Sequence, residues 1–373
     1  MKVLVVFGTR PEAIKMAPVI HALSRTNGLE TKVCITAQHR EMLDQALSIF
    51  GIQPDFDLNI MRPDQDLTDV TISVLSGCRR VLKAWRPRVV IVHGDTTTTL
   101  GASLAAYYEK IPVYHVEAGL RTHDIYSPWP EEINRRVAGL IAAFHFAPTD
   151  IARQNLLGEG IRHDNIQVTG NTVVDALKFV LKRLRTDHEL TLKIHKKFSF
   201  IDQTKRIILV TVHRRENFGH GLLNICSALS EIGERNDVQI IFPVHLNPNV
   251  QTPVMKILSN RPNIHLIPPQ DYLPFVYLID RAHLILTDSG GIQEEASTLG
   301  KPVLVLREST ERPEAVMSGV AKIVGAETNN IINEVTLLLN AELISPVAIR
   351  ERNPFGSGDA SIIIAKTIIE KMA

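Results

Sequence analysis

The sequence predicts an α/β protein with two domains, each built on a parallel sheet covered by helices. Short apolar runs alternate with amphipathic segments along the chain, which is the rhythm of successive βαβ units. The apolar runs form two sets of five, with a helical and polar stretch between the sets. The 373 residues also exceed the length at which one hydrophobic core usually suffices.

Ten strands follow from these runs, because strands buried on both faces of a parallel sheet read as continuous Val-, Ile- and Leu-rich segments. The first set is predicted at residues 3–7, 31–36, 89–92, 113–116 and 144–147. The second set is predicted at residues 207–212, 239–243, 264–267, 284–287 and 302–306. The amphipathic segments between the runs predict the helices that cover each sheet.

The boundary between the two domains is predicted near Gly170. The segment that begins there, GNTVVDALKFVLKRL, is typical of a helix with a basic solvent face, and a polar connector follows it. We therefore expect an N-terminal domain over residues 1–169 and a C-terminal domain over residues 170–355. A last helix over residues 356–373 is expected to cross back to the first domain.

Composition excludes several classes of function. With 41 basic and 40 acidic residues the net charge is +1, which argues against a nucleic-acid surface or a polybasic membrane anchor. Cys34, Cys78 and Cys226 lack CxxC spacing and are expected to be buried free thiols in a reducing compartment. No apolar run approaches the roughly 18 residues of a membrane span, so we expect a soluble cytoplasmic protein.

The opening stretch VVFGTRPEAIK predicts a first anion-binding turn. Ligands of open α/β sheets bind outside the carboxyl ends of the strands, and this stretch leads from a strand through Gly8 into a helix. A single glycine is not the dinucleotide fingerprint. The cations Arg10 and Lys15 beside the turn therefore point to an anionic ligand of another kind.

A second anion-binding turn is predicted at TDSGGIQEE in the second domain. Ser289, Gly290 and Gly291 follow a strand and open a helix, where small residues and the partial positive charge of the helix start suit a phosphate. Glu295 lies one helical turn further on and is placed to accept hydrogen bonds from sugar hydroxyls. The alternative is a tight turn with no ligand.

Histidines follow two strands of the same domain. His213 comes directly after the strand at 207–212, and His245 comes shortly after the strand at 239–243. One histidine at a strand end is usually structural, but two beside an anion-binding turn favour function. His213 is a candidate charged donor to a phosphoryl oxygen.

Three carboxylates lie next to the ends of strands or helices predicted for the first domain. Asp95 follows a strand and precedes a Thr-rich helix, so it is either functional or an N-cap. Glu131 stands behind a proline at a helix start, where an acid suits the helix dipole without any further role. Glu117 follows a buried strand and is the more diagnostic residue, since Glu is a poor N-cap.

Carboxylates gathered in a cleft that excludes water acquire raised and separated pKa values, which suits one acid and one base at neutral pH. The sequence therefore predicts reaction chemistry in addition to binding. Metal binding is not expected, because the 14 histidines form no HExxH or HxxxH pair.

Ten motifs then point to one family. They are GTRPEAIK, TAQHREML, GDTTTTL, HVEAGLRT, PEEINRR, GNTVVDAL, VTVHRREN, PVHLNP, TDSGGIQEEA and ERPEA. With these motifs in this order, the chain resembles the bacterial non-hydrolysing UDP-N-acetylglucosamine 2-epimerases over almost its full length. The resemblance implies two Rossmann-like domains of the glycosyltransferase B type with the active site between them. It further implies a homodimer that interconverts UDP-GlcNAc and UDP-ManNAc without NAD or metal and supplies surface polysaccharides.

The resemblance also implies site residues. Those implied to bind substrate are Arg10, Lys15, Gln270, Phe275, Ser289, Gly290, Gly291, Glu295 and Arg312. Those implied to act in catalysis are Asp95, Glu117, Glu131 and His213. Those implied to bind a second UDP-GlcNAc as allosteric activator are Gln38, His39, Arg215 and His245.

The chemistry can be argued from the substrate as well. The hydrogen at C2 has no neighbouring carbonyl to acidify it, so the C1–O bond to UDP must weaken first or concertedly. Loss of the C2 proton then gives a 2-acetamidoglucal, and inversion requires a proton from the opposite face. Asp95 and Glu131 are the expected pair, with Glu117 as orienter or alternative acid. A hydrolysing epimerase, a glycosyltransferase and a non-catalytic sensor remain alternatives.

Overall fold

A computed structural model describes residues 1–37, 40–340 and 346–372. The chain divides into two compact units, and both are α/β as predicted. Unit 1 comprises Met1–Phe179 together with the stretch from Phe355 onward, and unit 2 comprises Val180–Pro354. The domain limits drawn from the sequence at residues 169 and 355 stay predictions.

Unit 1 contains a seven-stranded parallel sheet in the order β3-β2-β1-β4-β5-β6-β7. Its strands are β1 Lys2–Phe7, β2 Glu30–Ile35, β3 Phe56–Asp57, β4 Val89–His93, β5 Val113–Val116, β6 Phe144–Ala147 and β7 Ile166–Val168. Its helices are α1 Arg10–Ser24, α2 Arg40–Phe50, α3 Leu67–Trp85, α4 Thr97–Tyr108, α5 Glu131–Ile141 and α6 Asp150–Gly158. α7, Thr172–Thr186, runs from unit 1 into unit 2.

Unit 2 contains a six-stranded parallel sheet in the order β10-β9-β8-β11-β12-β13. Its strands are β8 Arg206–Thr211, β9 Val238–Pro243, β10 Ile264–Ile267, β11 Leu284–Thr287, β12 Val303–Val305 and β13 Ala321–Ile323. Its helices are α8 His188–Lys197, α9 His220–Ile232, α10 Pro248–Leu258, α11 Tyr272–Arg281, α12 Gly290–Thr298, α13 Pro313–Met317, α14 Thr328–Asn340 and α15 Pro346–Glu351. The final helix, α16 Ala360–Met372, packs on α1 of unit 1.

All ten predicted strands are present, and none of their ends differs from the prediction by more than one residue. β3, β7 and β13 were not predicted from the sequence. Each is only two or three residues long and lies at an edge of its sheet, so its side chains are partly exposed and form no continuous apolar run.

The strand order places a switch point in each sheet. In unit 1 the chain moves outward from β1 to β2 and then returns to the other side of β1 with β4. In unit 2 the same reversal separates β8 from β11. Crevices open at the carboxyl ends of the strands at such points, and ligands of open α/β sheets bind there. The turns after β1, β4, β8 and β11 are therefore the first places to look for a site.

None of the helices in the described part of the chain combines the length and the apolarity that crossing a bilayer requires.

Candidate active site

The turn after β1 in unit 1 needs a glycine at position 8. A Cβ there would lie 2.0 Å from the Thr36 hydroxyl oxygen and 2.4 Å from that of Thr98. Those two hydroxyls are hydrogen-bonded to each other at 2.8 Å. Because only glycine fits, the backbone entering α1 lies directly against α4, and the residues that follow the two turns come together.

The two cations predicted beside this turn have different surroundings. Arg10 is the first residue of α1 and is half-buried. Lys15 lies one turn further along α1, is 8% exposed, and forms an ion pair with Glu117. Burying an amine is costly unless it is paired, so Lys15 and Glu117 each stabilise the charged form of the other.

Glu117 is held from two sides. It directly follows β5 with φ +60°, a left-handed conformation that is uncommon for a residue other than glycine. Its Oε2 accepts a hydrogen bond of 3.2 Å from the Asn171 side chain in addition to the ion pair with Lys15. The carboxylate is thereby fixed at the carboxyl edge of the sheet.

Asp95 does not cap α4, so the interpretation as an N-cap is wrong. The N-cap is Thr96, whose side-chain oxygen accepts the Thr99 backbone N–H at 3.2 Å. The Asp95 carboxylate instead lies 2.7 Å from a guanidinium nitrogen of Arg135, a buried residue of α5. The Asn134 side chain also donates to the Asp95 carbonyl oxygen at 3.0 Å. Residues of α5 thus hold both the side chain and the backbone of Asp95.

The other two carboxylates of unit 1 affect the protonation of Asp95. Burial raises the pKa of Asp95, and the Arg135 charge lowers it. The charges of Glu117 and Glu131 raise the same pKa further, and the Lys15 charge lowers it. The net effect is a raised pKa, the property required of an acid/base group at neutral pH.

Glu131 is the first residue of α5 and is half-buried. Its neighbour Glu132 is fully buried and accepts backbone hydrogen bonds from Thr122 at 3.1 Å and His123 at 3.3 Å. Glu132 therefore anchors the preceding loop. Glu132 thus carries a structural role, while the Glu131 charge acts on Asp95 and a functional role for Glu131 stays a prediction.

The crevice of unit 2 contains a carboxylate that the sequence analysis missed. Asp288 follows β11, is fully buried, and accepts hydrogen bonds from the backbone N–H groups of His213 at 3.0 Å and Arg214 at 2.9 Å. The Asn217 side chain donates to it at 3.0 Å. The signal in the sequence is an aspartate between the end of an apolar run and the Ser-Gly-Gly turn.

Asp288 also orients the His213 ring. The His213 Nδ1 lies 3.1 Å from Asp288 Oδ1, so the Nδ1–H donates to the carboxylate. Burial would raise the pKa of Asp288, but the hydrogen bond and charge of His213, with the backbone donors, outweigh it and lower this pKa. The buried carboxylate therefore orients the ring, while the His213 side chain is still 39% exposed and accessible to a ligand.

The start of α12 is the position for which the sequence predicts an anion-binding turn. Ser289 is the N-cap residue but makes no side-chain capping hydrogen bond. A Cβ at Gly290 would lie 3.8 Å from the guanidinium carbon of Arg312, so that cation is adjacent to the helix start. Arg312 is oriented by an ion pair with Glu294, a fully buried residue of α12. The helix dipole and a fixed guanidinium therefore act at the same place.

Three other predicted residues of unit 2 lie on neighbouring elements. Glu295 is on α12 and is 8% exposed. Gln270 precedes α11 and is buried, with its amide group donating to the Pro268 carbonyl oxygen at 2.5 Å. Phe275 is half-buried in the first turn of α11. Gln270 and Phe275 thus stand on one segment, as a pocket for a planar base would require.

Of the four residues predicted for an activator site, Gln38 and His39 lie outside the described residues. Arg215 is exposed in the short segment after β8. His245 has its ring 6.0 Å from that of His213, with an angle of 29° between the planes. Burial and the His213 charge lower the pKa of His245, against the Asp288 charge. His245 therefore adjoins the His213–Asp288 pair.

Within residues 1–37, 40–340 and 346–372, His, Cys, Asp and Glu side chains form no group of three or more with the arrangement of a metal site.

Comparison with known proteins gives a consistent result. The family described as UDP-N-acetylglucosamine 2-epimerase matches residues 21–369. A UDP-N-acetylglucosamine 2-epimerase of Yersinia pestis is 58% identical over 369 residues, which cover 99% of this chain and 98% of the relative.

Two solved structures are similar over their whole length. The UDP-GlcNAc 2-epimerase of Neisseria meningitidis bound to UDP-GlcNAc is 53% identical, has a TM-score of 0.91, and is matched over 99% of this chain and 100% of its own. The UDP-GlcNAc 2-epimerase of Methanocaldococcus jannaschii in complex with UDP-GlcNAc and UDP is 37% identical with a TM-score of 0.83, over 99% of this chain and 100% of its own.

Proposed function

The chain belongs to the UDP-N-acetylglucosamine 2-epimerase family and is an isomerase, and from this premise we propose that it acts without hydrolysing its substrate. UDP-GlcNAc and UDP-ManNAc are interconverted by elimination and re-addition of UDP. The intermediate is 2-acetamidoglucal, and the product supplies ManNAc units for surface polysaccharides. A location in the reducing cytoplasm is part of the proposal and agrees with the free, buried state of Cys34, Cys78 and Cys226.

In the first step the C1–O bond breaks, and its electron pair leaves with the β-phosphate of UDP. A base removes the C2 proton, and the C2–H electron pair becomes the C1–C2 double bond. The α12 start and Arg312, which are adjacent in unit 2, are assigned the stabilisation of the negative charge that grows on the diphosphate. Arg10 is proposed as a further cation that stabilises this charge.

His213 is proposed to donate to the departing phosphate oxygen. Its Nδ1–H is engaged by the buried Asp288 carboxylate, so the other ring nitrogen is the one available to a ligand. A preoriented charged donor stabilises the leaving group most when its charge is greatest, which is in the transition state. Ser289, Gly290 and Gly291 hold the diphosphate, Glu295 the ribose, and Gln270 and Phe275 the uracil in this proposal.

In the return step a proton is delivered to the opposite face of C2, and the UDP oxygen attacks C1. Inversion therefore requires one group that takes a proton and another that supplies one. Asp95 and Glu131 are proposed for these roles. Glu117, fixed by Lys15 and Asn171, orients the sugar or supplies the proton in place of one of them.

One observation carries the proposal: the charges of Glu117 and Glu131 in unit 1 both act on Asp95 and raise its pKa. Transfer of a sugar to an acceptor requires at most one base, and binding alone requires no acid/base group. A group of interacting carboxylates is what two proton transfers at one carbon require.

We also propose that UDP-GlcNAc binds a second time as an activator, with Gln38, His39, Arg215 and His245 as ligands. The position of the His245 ring beside His213 supports the proposal, because an activator held by His245 would directly affect the orientation and charge of the neighbouring ring.

The test is incubation of UDP-GlcNAc with the protein in D₂O, followed by NMR. Formation of UDP-ManNAc with deuterium at C2 supports the proposal. Free ManNAc would instead show a hydrolysing epimerase, and an unchanged, unlabelled substrate would show a binding protein or a transferase. UDP-ManNAc that keeps its original hydrogen at C2 would contradict the elimination route.

The same experiment on Glu117→Gln tests the role of Glu117, because this substitution keeps the shape of the side chain and removes its charge. This variant is expected to exchange no label while it still binds UDP, because UDP is assigned to unit 2. Wild-type exchange in the variant would remove Glu117 from the mechanism.

A further inference from the structure

We propose that Glu12 is a positioning residue that holds the Arg10 turn and the Asp95 turn in one register by bonding to both. The inference rests on the proposed function, since those turns carry residues assigned to the reaction. Glu12 lies in α1, where the motif GTRPEAIK suggested only Arg10 and Lys15 as functional. Its contacts differ between its two carboxylate oxygens.

One oxygen, Oε2, binds the turn that precedes α1. It accepts hydrogen bonds from the Gly8 backbone N–H at 3.0 Å and from the Thr9 backbone N–H at 2.8 Å. The Thr9 hydroxyl donates to it as well, at 2.8 Å. A backbone N–H can only donate, so Oε2 is the acceptor in all three of these hydrogen bonds.

The other oxygen, Oε1, reaches a different element. It accepts a hydrogen bond from the Thr96 hydroxyl at 2.9 Å, and the Thr99 hydroxyl lies 3.4 Å away. Thr96 caps α4 and is the next residue after Asp95. The carboxylate of Glu12 is therefore a direct link between the turn bearing Arg10 and the turn bearing Asp95.

A capping role alone does not account for this residue. Thr9 and Glu12 form a capping box, but that motif requires only one acceptor oxygen and is compatible with an exposed side chain. Glu12 is 2% exposed, and burying a carboxylate is costly. Burial raises its pKa to about 7, although the hydrogen bonds from Gly8, Thr9 and Thr96 lower it. The second oxygen and the burial are explained by the link to Thr96.

The link matters because small displacements of reacting groups are costly. Arg10 is proposed for the leaving diphosphate and Asp95 for the proton at C2, so both act on adjacent carbons of one sugar. A shift of about 1 Å between such groups lowers rates by about 10²-fold. Loss of the Glu12 bridge is therefore expected to reduce turnover more than substrate binding.

The first test compares Glu12→Gln with Glu12→Met. Gln keeps the acceptor at the Oε2 position, and its NH₂ group can donate to the Thr96 and Thr99 hydroxyls, which are able to accept. Met has similar length and no acceptor of this strength. Gln is expected to keep kcat within about threefold, whereas Met lowers kcat by about 10²-fold with little change in KM. Equal losses of kcat in the two variants would overturn the proposal.

The second test uses Thr96 and covers the case in which the Met variant does not fold. Thr96→Asn and Thr96→Asp are similar in size and are equally good N-caps, but only Asn can donate to Glu12. Asn is expected to keep kcat within about threefold and Asp to lower it by at least about 10-fold. Equal kcat values for the two variants would contradict the link.

Hydrogen exchange separates this inference from the proposed function. If the bridge exists, the amides of Gly8, Thr9 and residues 96–99 exchange faster in Glu12→Met than in Glu12→Gln, whether or not the wild type epimerises UDP-GlcNAc. A wild type without deuterium exchange at C2 would defeat the proposed function. Identical amide exchange at both turns in the two variants would defeat the role of Glu12.

Discussion

At the scale of single residues, the pairing of Asp288 with His213 explains how one histidine among 14 becomes a fixed donor. Asp288 binds the backbone on both sides of the β8 end and the His213 side chain at the same time. Backbone position and ring orientation are thus set by one carboxylate. The arrangement follows the logic of a base oriented by a buried acid.

Replacement of Asp288 by Asn is predicted to lower kcat by about 10²-fold, since the amide cannot accept all of the hydrogen bonds that the carboxylate now accepts. Steady-state epimerisation kinetics would measure it. His213→Asn should produce a loss of similar size. The double variant should be little worse than either single variant, because the two residues act as a unit. Fully additive losses would show that Asp288 acts independently of His213.

Strand ends made part of this site predictable from sequence. Glu117 and His213 come directly after a run of apolar residues, and Asp95 follows such a run after two intervening residues. A parallel sheet brings such positions to one edge. Arg135 and Asp288 could not be found in that way. Their roles depend on partners far away along the chain, and a single sequence contains no information on which distant side chains meet.

At the scale of elements, three adjacent strands of unit 1 each carry a buried histidine. These are His93 on β4, His115 on β5 and His145 on β6. The His115 Nε2–H donates to the Gly94 carbonyl oxygen at 2.7 Å, which supports the backbone just before Asp95. Burial lowers the pKa of His115 to about 3 and that of His145 to about 4. Both rings are therefore neutral in the folded protein at ordinary pH.

These neutral rings predict an acid-sensitive fold. An unfolded chain takes up a proton on histidine near pH 6.5, whereas the folded chain does not do so at His145 until about pH 4. The free energy of unfolding is therefore predicted to fall as the pH drops from about 6.5 toward 4. His145→Leu should reduce that loss by about 2 kcal/mol, as measured by urea unfolding at a series of pH values.

His163→Leu is the matched control, because the His163 side chain is 71% exposed and meets water in both states. It is predicted to leave the pH dependence of the unfolding free energy unchanged. The same pH dependence in wild type and His145→Leu would show that His145 takes up its proton in the folded state.

Strands that are buried on both faces form continuous apolar runs, and these strands were predicted from the sequence. The short edge strands lack such a run and were missed. The central strands β1, β4, β8 and β11 were all predicted, and they border the two crevices. The sequence therefore located the edge of each sheet that carries the candidate site, even though the short outer strands were missed.

At the scale of the whole molecule, unit 1 carries an apolar face that its own fold leaves uncovered. Three helices contribute exposed apolar side chains to it. Ile72 of α3 is 57% exposed, Tyr107 and Tyr108 of α4 are 61% and 66% exposed, and Leu140 of α5 is 81% exposed. Neighbouring grooves on these helices share Tyr108, Glu109 and Ile111. Exposed apolar side chains clustered on neighbouring helices are typical of protein–protein contacts.

We propose this face as the contact surface of the homodimer implied by the family resemblance. A chain of 41.6 kDa is then expected to sediment at about twice that mass in analytical ultracentrifugation. In a symmetric dimer each substitution is present twice at the contact. Tyr108→Glu should therefore place two uncompensated charges in the apolar interface and shift the protein to monomers.

Leu192→Glu is the control for that experiment, since Leu192 is similarly exposed at 69% but lies on α8 in unit 2. It should leave the sedimentation of the wild type unchanged. The face is built by α3, α4 and α5, Asp95 lies just before the N-cap of α4, and Glu131 is the first residue of α5, so dissociation is also expected to lower turnover. A Tyr108→Glu protein that still sediments as a dimer would place the contact elsewhere, and a monomeric wild type would remove the dimer from the proposal.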